Sequence, residues 1–281
     1  MEVAPPRPVA NDLCAVSSHL SRADDGVWRA AERETISYLE GDNEACFAFE
    51  DKSFWFAHRG ACLRSVVQQL SPAGTIYDIG GGNGYMTRVF LDAGFDTVLV
   101  EPGEEGVRNA VARGIPNVVC ATLATARFRD GSLPAVGLFD VLEHIDDDLG
   151  FLRELQRAVV PGGRLYLTVP ASSWLWSQDD VLAGHFRRHT VSGMRRRLGA
   201  TGWNPIFSTH IFSILPLPIF FWRSLRSLFG KRTLPRADYA SEHRARARGV
   251  TDRIWEMELR QLSRGGSIPF GSSCLLVAEK I

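Results

Sequence analysis

The sequence predicts an α/β fold: a parallel sheet with helices on both faces. Three observations carry that expectation. From residue 75 to 170, short apolar runs alternate with segments of helical character, the pattern of strand–helix–strand units. Within it, Ile76-Tyr77-Asp78-Ile79 runs into a glycine-dense turn, Gly80-Gly81-Gly82-Asn83-Gly84, with a helical segment from Met86 to Ala93 beyond. A second short buried strand, Thr97-Val98-Leu99-Val100, then ends in an acid, Glu101.

Taken in order, residues 1–12 read as a disordered lead. Residues 13–70 read as mostly helical, closing with Phe54-Trp55-Phe56-Ala57-His58-Arg59 and Cys62 to Leu70. Ser71-Pro72-Ala73-Gly74 stops that helix before the first strand of the alternating region. The glycine turn comes next. Glycine admits positive φ and lets a ligand approach the main chain, so a strand, such a turn and a helix N-terminus form a nucleotide-ligand site. Dinucleotide folds need G-x-G-x-x-G, and neither frame fits: the sixth position is Tyr85 counting from Gly80 and Thr87 counting from Gly82. The pattern that fits is acid-x-Gly-x-Gly-x-Gly, on Asp78, Gly80, Gly82 and Gly84. An acid inside the turn suits a ligand with a cationic amine and would repel a pyrophosphate. Glu101, at the carboxyl end of the next strand, stands where an acid accepts hydrogen bonds from ribose hydroxyls.

A third strand is expected over Asn117 to Ala121. A fourth ends in Leu138-Phe139-Asp140, and the loop after it runs Val141-Leu142-Glu143-His144 to Asp148. A helix follows (Phe151 to Val159), then Val160-Pro161-Gly162-Gly163 and the strand Arg164 to Pro170.

The acid-x-Gly-x-Gly-x-Gly turn resembles the first motif of the class I S-adenosylmethionine (SAM)-dependent methyltransferases. The order Asp140-Val141-Leu142-Glu143-His144, helix, Pro161-Gly162-Gly163, strand, Val169-Pro170 is similar to bacterial members, including those of quinone and small-molecule pathways. With Pro269 to Ala278 the resemblance covers most of residues 50–281. It implies a Rossmann-like seven-stranded sheet with the last strand antiparallel, an N-terminal helical cap and a C-terminal lid insertion. The chain would divide into a lead and cap (1–70), a SAM-binding core (71–171) and an acceptor-side segment (172–281). Asp78 would address the methionine end of SAM, Glu101 its ribose, and Asp140 with its loop would face both SAM and acceptor. In relatives the aromatics of a piece like Phe54-Trp55-Phe56 cover the cofactor. Arg59 would pair with the SAM carboxylate, or else be a surface charge beside core aromatics. Many relatives carry an acid after the third strand for the adenine amino group. Here Cys120-Ala121-Thr122-Leu123 stands instead, leaving backbone groups near Thr122 and Leu123 for that task.

On the acceptor side, the stretch from Trp174 to Thr190 resembles S-x-x-D-x-x-x-G-H-x-R-R-Y-T of one bacterial methyltransferase group, with His189 in place of Tyr. The resemblance puts Trp174, Trp176, Arg187, Arg188 and His189 beside the acceptor, where they would bind a carboxylate or phosphate. The plainer alternative is that Arg187 and Arg188 pair with Asp179 and Asp180 to hold the loop. His185 is the first candidate for a general base and His144 the second.

Composition narrows the classes further. Lys and Arg number 32 against 32 Asp and Glu, so no global field favours nucleic acid. The five cysteines (14, 46, 62, 120 and 274) are scattered and never C-x-x-C, which reads as reduced, cytoplasmic and without a metal site. The N-terminal stretch, proline-rich with acids, does not read as a signal peptide. Ile211 to Trp222 is apolar and broken by Pro216 and Pro218, too short to span a bilayer. A basic stretch, Arg223 to Arg232, follows. Three readings stay open for 211–232: a roof over a greasy acceptor site, a face for a homodimer, or a peripheral membrane element. Arg236 to Arg253 reads as a solvated connector and helix face.

The expected function is methyl transfer from SAM to a small or lipophilic acceptor, with oxygen favoured over carbon or nitrogen. The rivals are a SAM enzyme of another reaction type, cyclase- or decarboxylase-like, and a non-catalytic binding module.

Overall fold

The computed structural model describes residues 13–32, 42–216, 220 and 250–281. The strands are β1 (Leu20–Arg22), β2 (Trp28–Ala30), β3 (Ile76–Ile79), β4 (Thr97–Val100), β5 (Val118–Cys120), β6 (Leu133–Phe139), β7 (Val159–Pro170), β8 (Trp203–Ile211) and β9 (Ser273–Lys280). Among the described residues they form one nine-stranded sheet, in the order β1-β2-β5-β4-β3-β6-β7-β9-β8. From β5 to β7 every pairing is parallel. The last strand, β9, lies antiparallel between β7 and β8. These seven strands match the expected Rossmann-like sheet.

The other two add a hairpin to a stretch, 13–70, whose described residues are otherwise mostly helical as expected. β1 and β2 form an antiparallel hairpin, and β2 adds in parallel to the outer edge of β5 through Trp28 and Val119. Leu20 and Trp28 are buried at that edge, and Gly26, at φ +81°, turns the chain between the strands. The strands are three residues each, so too little sequence carries a period of two for the pattern to be read beforehand. The helical cap is present after the hairpin, as α1 (Asp42–Glu50) and α2 (Phe54–Gln69).

Helices cover both faces: α3 (Tyr85–Asp92), α4 (Glu104–Ala112), α5 (Leu123–Ala126), α6 (Asp148–Ala158), α7 (Gln178–Leu182), α8 (Val191–Ala200) and α9 (Val250–Leu262). Side chains alternate across a strand. On one face Tyr77, Ile79, Val98, Val100, Leu138 and Leu167 pack with Leu152 and Leu155 of α6 and Met194 and Leu198 of α8. On the other, Ile76, Ala135, Tyr166 and Val277 meet Leu63, Val66 and Val67 of α2, Met86 and Phe90 of α3, and Leu262 of α9. The central strands β3 and β4 are buried at every residue, which explains their unbroken apolar character.

The segment between β8 and β9 is the expected insertion. Its described part is anchored to α2. Glu258 of α9 accepts hydrogen bonds from Phe212 N (3.1 Å) and Ser213 N (2.5 Å), and pairs with His58 Nε2 at 2.8 Å. The Ser213 hydroxyl donates to the same carboxylate. Trp255 stacks on Phe54, and Phe212 on Trp55. The apolar segment therefore starts inside the protein, with Ile211, Phe212 and Leu215 packed among the residues of α2. Residues 217–219 and 221–249, which carry most of the segment with three open readings and much of the Arg-rich connector, lie outside the described residues, as do 1–12. Among the described residues, no helix is long and apolar enough to cross a membrane.

Candidate functional site

Four strands end in the same way. Beyond β3, β6, β7 and β8 the chain turns through positive φ at Gly80 (+71°), Asp140 (+58°), Ser172 (+63°) and Phe212 (+62°). Three of the four are not glycine, and such positions cost of order 1–3 kcal/mol each, held only by the surrounding structure. The carboxyl edge of an open α/β sheet is where ligands bind. The candidate site occupies that edge.

The glycine bend is built from main chain. Gly80 N donates to Val100 O at 2.7 Å, fastening the bend to β4. Gly82 and Gly84 also have positive φ, and Gly84 starts α3. Gly81 is needed for space: a Cβ there would fall 2.2 Å from Leu99 Cδ1 and 2.8 Å from Asp78 Oδ2. Glu101 ties the bend to the start of α4: one carboxylate oxygen accepts from Gly82 N (2.9 Å) and the other from Gly103 N (2.7 Å). Burial pushes its pKa up to about 7, against the two N–H donors and with help from nearby Asp78. Each of its oxygens has a second lone pair for a ligand hydroxyl.

Asp78 lies beneath the bend, fully buried, and accepts from Thr87 Oγ1 of α3 at 2.6 Å. Its second oxygen has no protein partner. Burial raises its pKa to about 6, opposed by Thr87 and by the charge of Arg59. The two acids lie close together: β3 and β4 pair in register, and the charge of Asp78 reaches Glu101.

Arg59 is buried on α2, lies over the rings of Trp55 (4.3 Å) and Phe56 (5.0 Å), and pairs with Asp140. The structure thus sets it among the site's acids, and the reading of it as a surface charge is corrected: α2 packs on the sheet and carries it inside. Asp140 Oδ1 and Arg59 Nε are buried without protein partners. The loop after β6 touches the glycine bend directly, since a Cβ on Gly80 would meet Val141 Cγ2 at 2.9 Å. Beyond β5, the side chains of Thr122 and Leu123 serve the fold. Thr122 caps α5 through a reciprocal pair with Thr125, and Leu123 is in the core.

The acceptor-side residues converge from two segments. His144 and His185 meet edge to face, ring centroids 4.8 Å apart. His185 Nδ1 is bonded to Asp180 Oδ1 at 2.9 Å, and Arg188 Nε donates to the same oxygen at 2.8 Å. Burial, with His185 adding to it, lowers the His144 pKa to about 4. Phe186 N donates to Glu143 O at 2.8 Å, tying the two segments together. The loop-holding pairs are only half as expected. Arg188 pairs with Asp180, but Arg187 reaches across to Asp148 (3.0 Å) at the start of α6 and to Asp146 (3.2 Å) on the loop before it. His189 is buried, its main chain bridging Pro170 and Ser172, and burial lowers its pKa to about 4. Trp176 is half-buried. Trp174 is 43% exposed and stacks with Phe270, with Phe220 beside it.

Sequence reasoning passed over one residue. Glu143 is 1% exposed and neither carboxylate oxygen has a protein partner. Burial raises its pKa well above the ordinary range, with Asp140 adding to it and Arg59 and Arg188 opposing. Its neighbours Leu142 and His144 drew attention as a motif, and nothing in an isolated Glu signals burial.

Comparison with known proteins fits this geometry. The methyltransferase domain family matches residues 55–211, more than half of the chain, and the chain belongs to that family. A methyltransferase of uncharacterized specificity from Mycolicibacterium gilvum (strain PYR-GCK) is 31% identical over 117 residues, 41% of this chain and 43% of that one. A ubiquinone biosynthesis O-methyltransferase from Xanthomonas oryzae pv. oryzae is 27% identical over 113 residues, 38% of this chain and 47% of that one. The chain therefore spans less than half the length of these relatives. Among solved structures, a SAM-dependent methyltransferase from Thermotoga maritima superposes with a TM-score of 0.55 at 16% identity, covering 85% of this chain and 98% of that one. That likeness is one of fold.

Proposed function

We propose that this member of the methyltransferase domain family transfers a methyl group from SAM to the oxygen of a small, lipophilic acceptor. One observation carries the reading. Glu101 holds the glycine bend through Gly82 N, while Val141 of the loop bearing His144 packs on that same bend. A donor seated on the bend would therefore have its reactive end beside the histidine pair.

Glu101 would hold the ribose hydroxyls. The cationic sulfonium and amine would sit in the field of Asp78, Asp140 and Glu143, and Arg59, already paired with Asp140, would meet the carboxylate of the donor's methionine part. The methyl is activated by the sulfonium, so alignment is the protein's main contribution, of about 7–11 kcal/mol at best. An oxygen nucleophile must also lose a proton. His185, oriented by Asp180 as a triad histidine is by its aspartate, would accept it, adding roughly 10²–10⁴-fold. The exposed rings of Trp174 and Phe270 support an apolar acceptor entering from that side, and the name of the Xanthomonas relative supports oxygen as the atom methylated.

Calorimetry and product analysis test this. SAM should bind the wild-type protein, and Glu101→Ala should weaken it by about 1–3 kcal/mol, the cost of losing charged hydrogen bonds. Turnover with hydroxyl-bearing acceptors should release S-adenosylhomocysteine. Absence of SAM binding would overturn the assignment, and a transformed acceptor without S-adenosylhomocysteine would turn it toward another reaction type.

A further inference from the structure

We propose that Glu143, His144 and His185 form a binding site for a divalent transition-metal ion, with zinc as the ion of best fit. One ligand atom from each residue lies within 4.8 Å of the other two. Donors around a tetrahedral zinc at ~2.0–2.1 Å stand about 3.3 Å apart, so modest side-chain rotation closes the set. Two imidazoles and one carboxylate are the donor types zinc accepts in sites that keep a position open for substrate.

Two independent observations point to a ligand. The first is Glu143 itself, a carboxyl 1% exposed with no protein hydrogen bond to either oxygen. Burying an ionised carboxylate is costly unless a cation or donors compensate; the charges of Arg59 and Arg188 reach Glu143 against that of Asp140, but neither guanidinium bonds to its oxygens. The second is the support behind His185. Its Nδ1 is held by Asp180, whose other oxygen accepts from Ser177 N at 2.9 Å, and Arg188 fixes the same carboxylate. A histidine with one nitrogen tied to a buried carboxylate presents the other to a metal in a set orientation. Among the described residues, the other group of similar composition, His58, Cys62 and Glu258, differs: the Glu258 oxygens are already taken by Phe212, Ser213 and His58. Cysteine spacing shows nothing of the proposed site, because its ligands come from two loops far apart in sequence.

The ion's role rests on the methyl-transfer reading; its binding does not. An acceptor hydroxyl coordinated to the ion would lose its proton to solvent more readily. The oxygen lone pair would then form the bond to the SAM methyl carbon as the carbon–sulfur bond breaks, its electron pair staying on sulfur in S-adenosylhomocysteine. With the ion bound, His185 acts as a ligand and the metal takes over the activation assigned above to His185 as base.

The experiment is titration of chelator-treated full-length protein with Zn²⁺ by calorimetry, and with Co²⁺ by visible spectroscopy, SAM affinity being measured in parallel. One equivalent of each ion should bind, Co²⁺ with the ligand-field bands of a histidine-bound site. His185→Gln, at a half-buried position, should weaken Zn²⁺ binding more than tenfold with SAM affinity held within about twofold, and Glu143→Gln should weaken Zn²⁺ binding by a similar factor. Asp180→Asn should weaken it by about 10–100-fold, the usual effect behind a metal-bound histidine. Wild-type protein that takes up no stoichiometric ion, or a SAM-binding His185→Gln variant with wild-type Zn²⁺ affinity, would overturn the site. Wild-type protein that binds Zn²⁺ but not SAM would sink the methyl-transfer reading instead.

Discussion

At the β3–β4 edge the site is made of main chain, and at the β6–β7 edge of side chains. The first edge has Gly80, Gly81, Gly82 and Gly84 with one carboxylate, Glu101, satisfied by two N–H groups close to it in sequence or across one strand pair. The second has Asp140, Glu143, His144, Asp180, His185 and Arg188, drawn from separate loops and held by one another. A third group, the Glu258 latch, joins the insertion to the cap over the site. On the function proposed above, the first edge is the donor seat and the second the acceptor seat. A bend formed by backbone geometry tolerates little change, whereas a side-chain cluster on loops is altered one residue at a time.

The largest break expected is in the latch. Glu258→Ala would remove the shared acceptor of Phe212 N, Ser213 and His58 in the interior. Loss of one partner in such a buried pair costs about 3–5 kcal/mol, so urea unfolding should show a drop of that order, with Glu258→Gln intermediate. A loss under about 1 kcal/mol would mean that insertion and cap are not coupled in this way.

Next comes the pH dependence of the donor seat. The folded pKa of Glu101 is raised by burial to about 7, from an ordinary value of 4.5. Its neutral form is thus favoured by folding: the group's stabilisation is complete below pH 4.5 and is lost as pH rises through 7. Glu101→Gln stays neutral throughout. The stability of the wild type relative to this variant should therefore fall between pH 4.5 and 8, by up to about 3 kcal/mol. Parallel stability curves across that range would show that Glu101 is not desolvated. Bound SAM, with its positive charge, should reduce the fall in the wild type.

The smallest effect on stability, and the most selective on function, is expected at the acceptor lip. Trp174 is exposed, so Trp174→Ala should change unfolding free energy by no more than about 0.5 kcal/mol. If its ring helps to receive a lipophilic acceptor, KM for the acceptor should rise several-fold while SAM affinity holds. An unchanged KM would place the acceptor elsewhere on the carboxyl edge.

The donor seat was legible in the chain because its parts are local. Asp78 to Gly84 is one continuous stretch, and Glu101 follows at the spacing that a strand–helix–strand unit imposes. Strands β3 and β4 were readable as unbroken apolar runs because both faces are covered. Burial decided what spacing could not. Arg59 is paired with Asp140 because α2 folds onto the sheet, and Arg187 reaches Asp148, nearly forty residues before it in the chain. Glu143 looked like an ordinary loop acid until the structure enclosed it, and the β1–β2 hairpin was too short to announce itself.

What the sequence determined alone was the alternation of strands and helices from β3 to β7, the glycine bend and the acid that grips it. These rest on backbone preference and near-neighbour spacing, which a linear chain carries in full. Only the tertiary structure decided which charged groups share a low-dielectric interior. Their meeting depends on loops distant in sequence arriving at one sheet edge, and no local signal records that arrival.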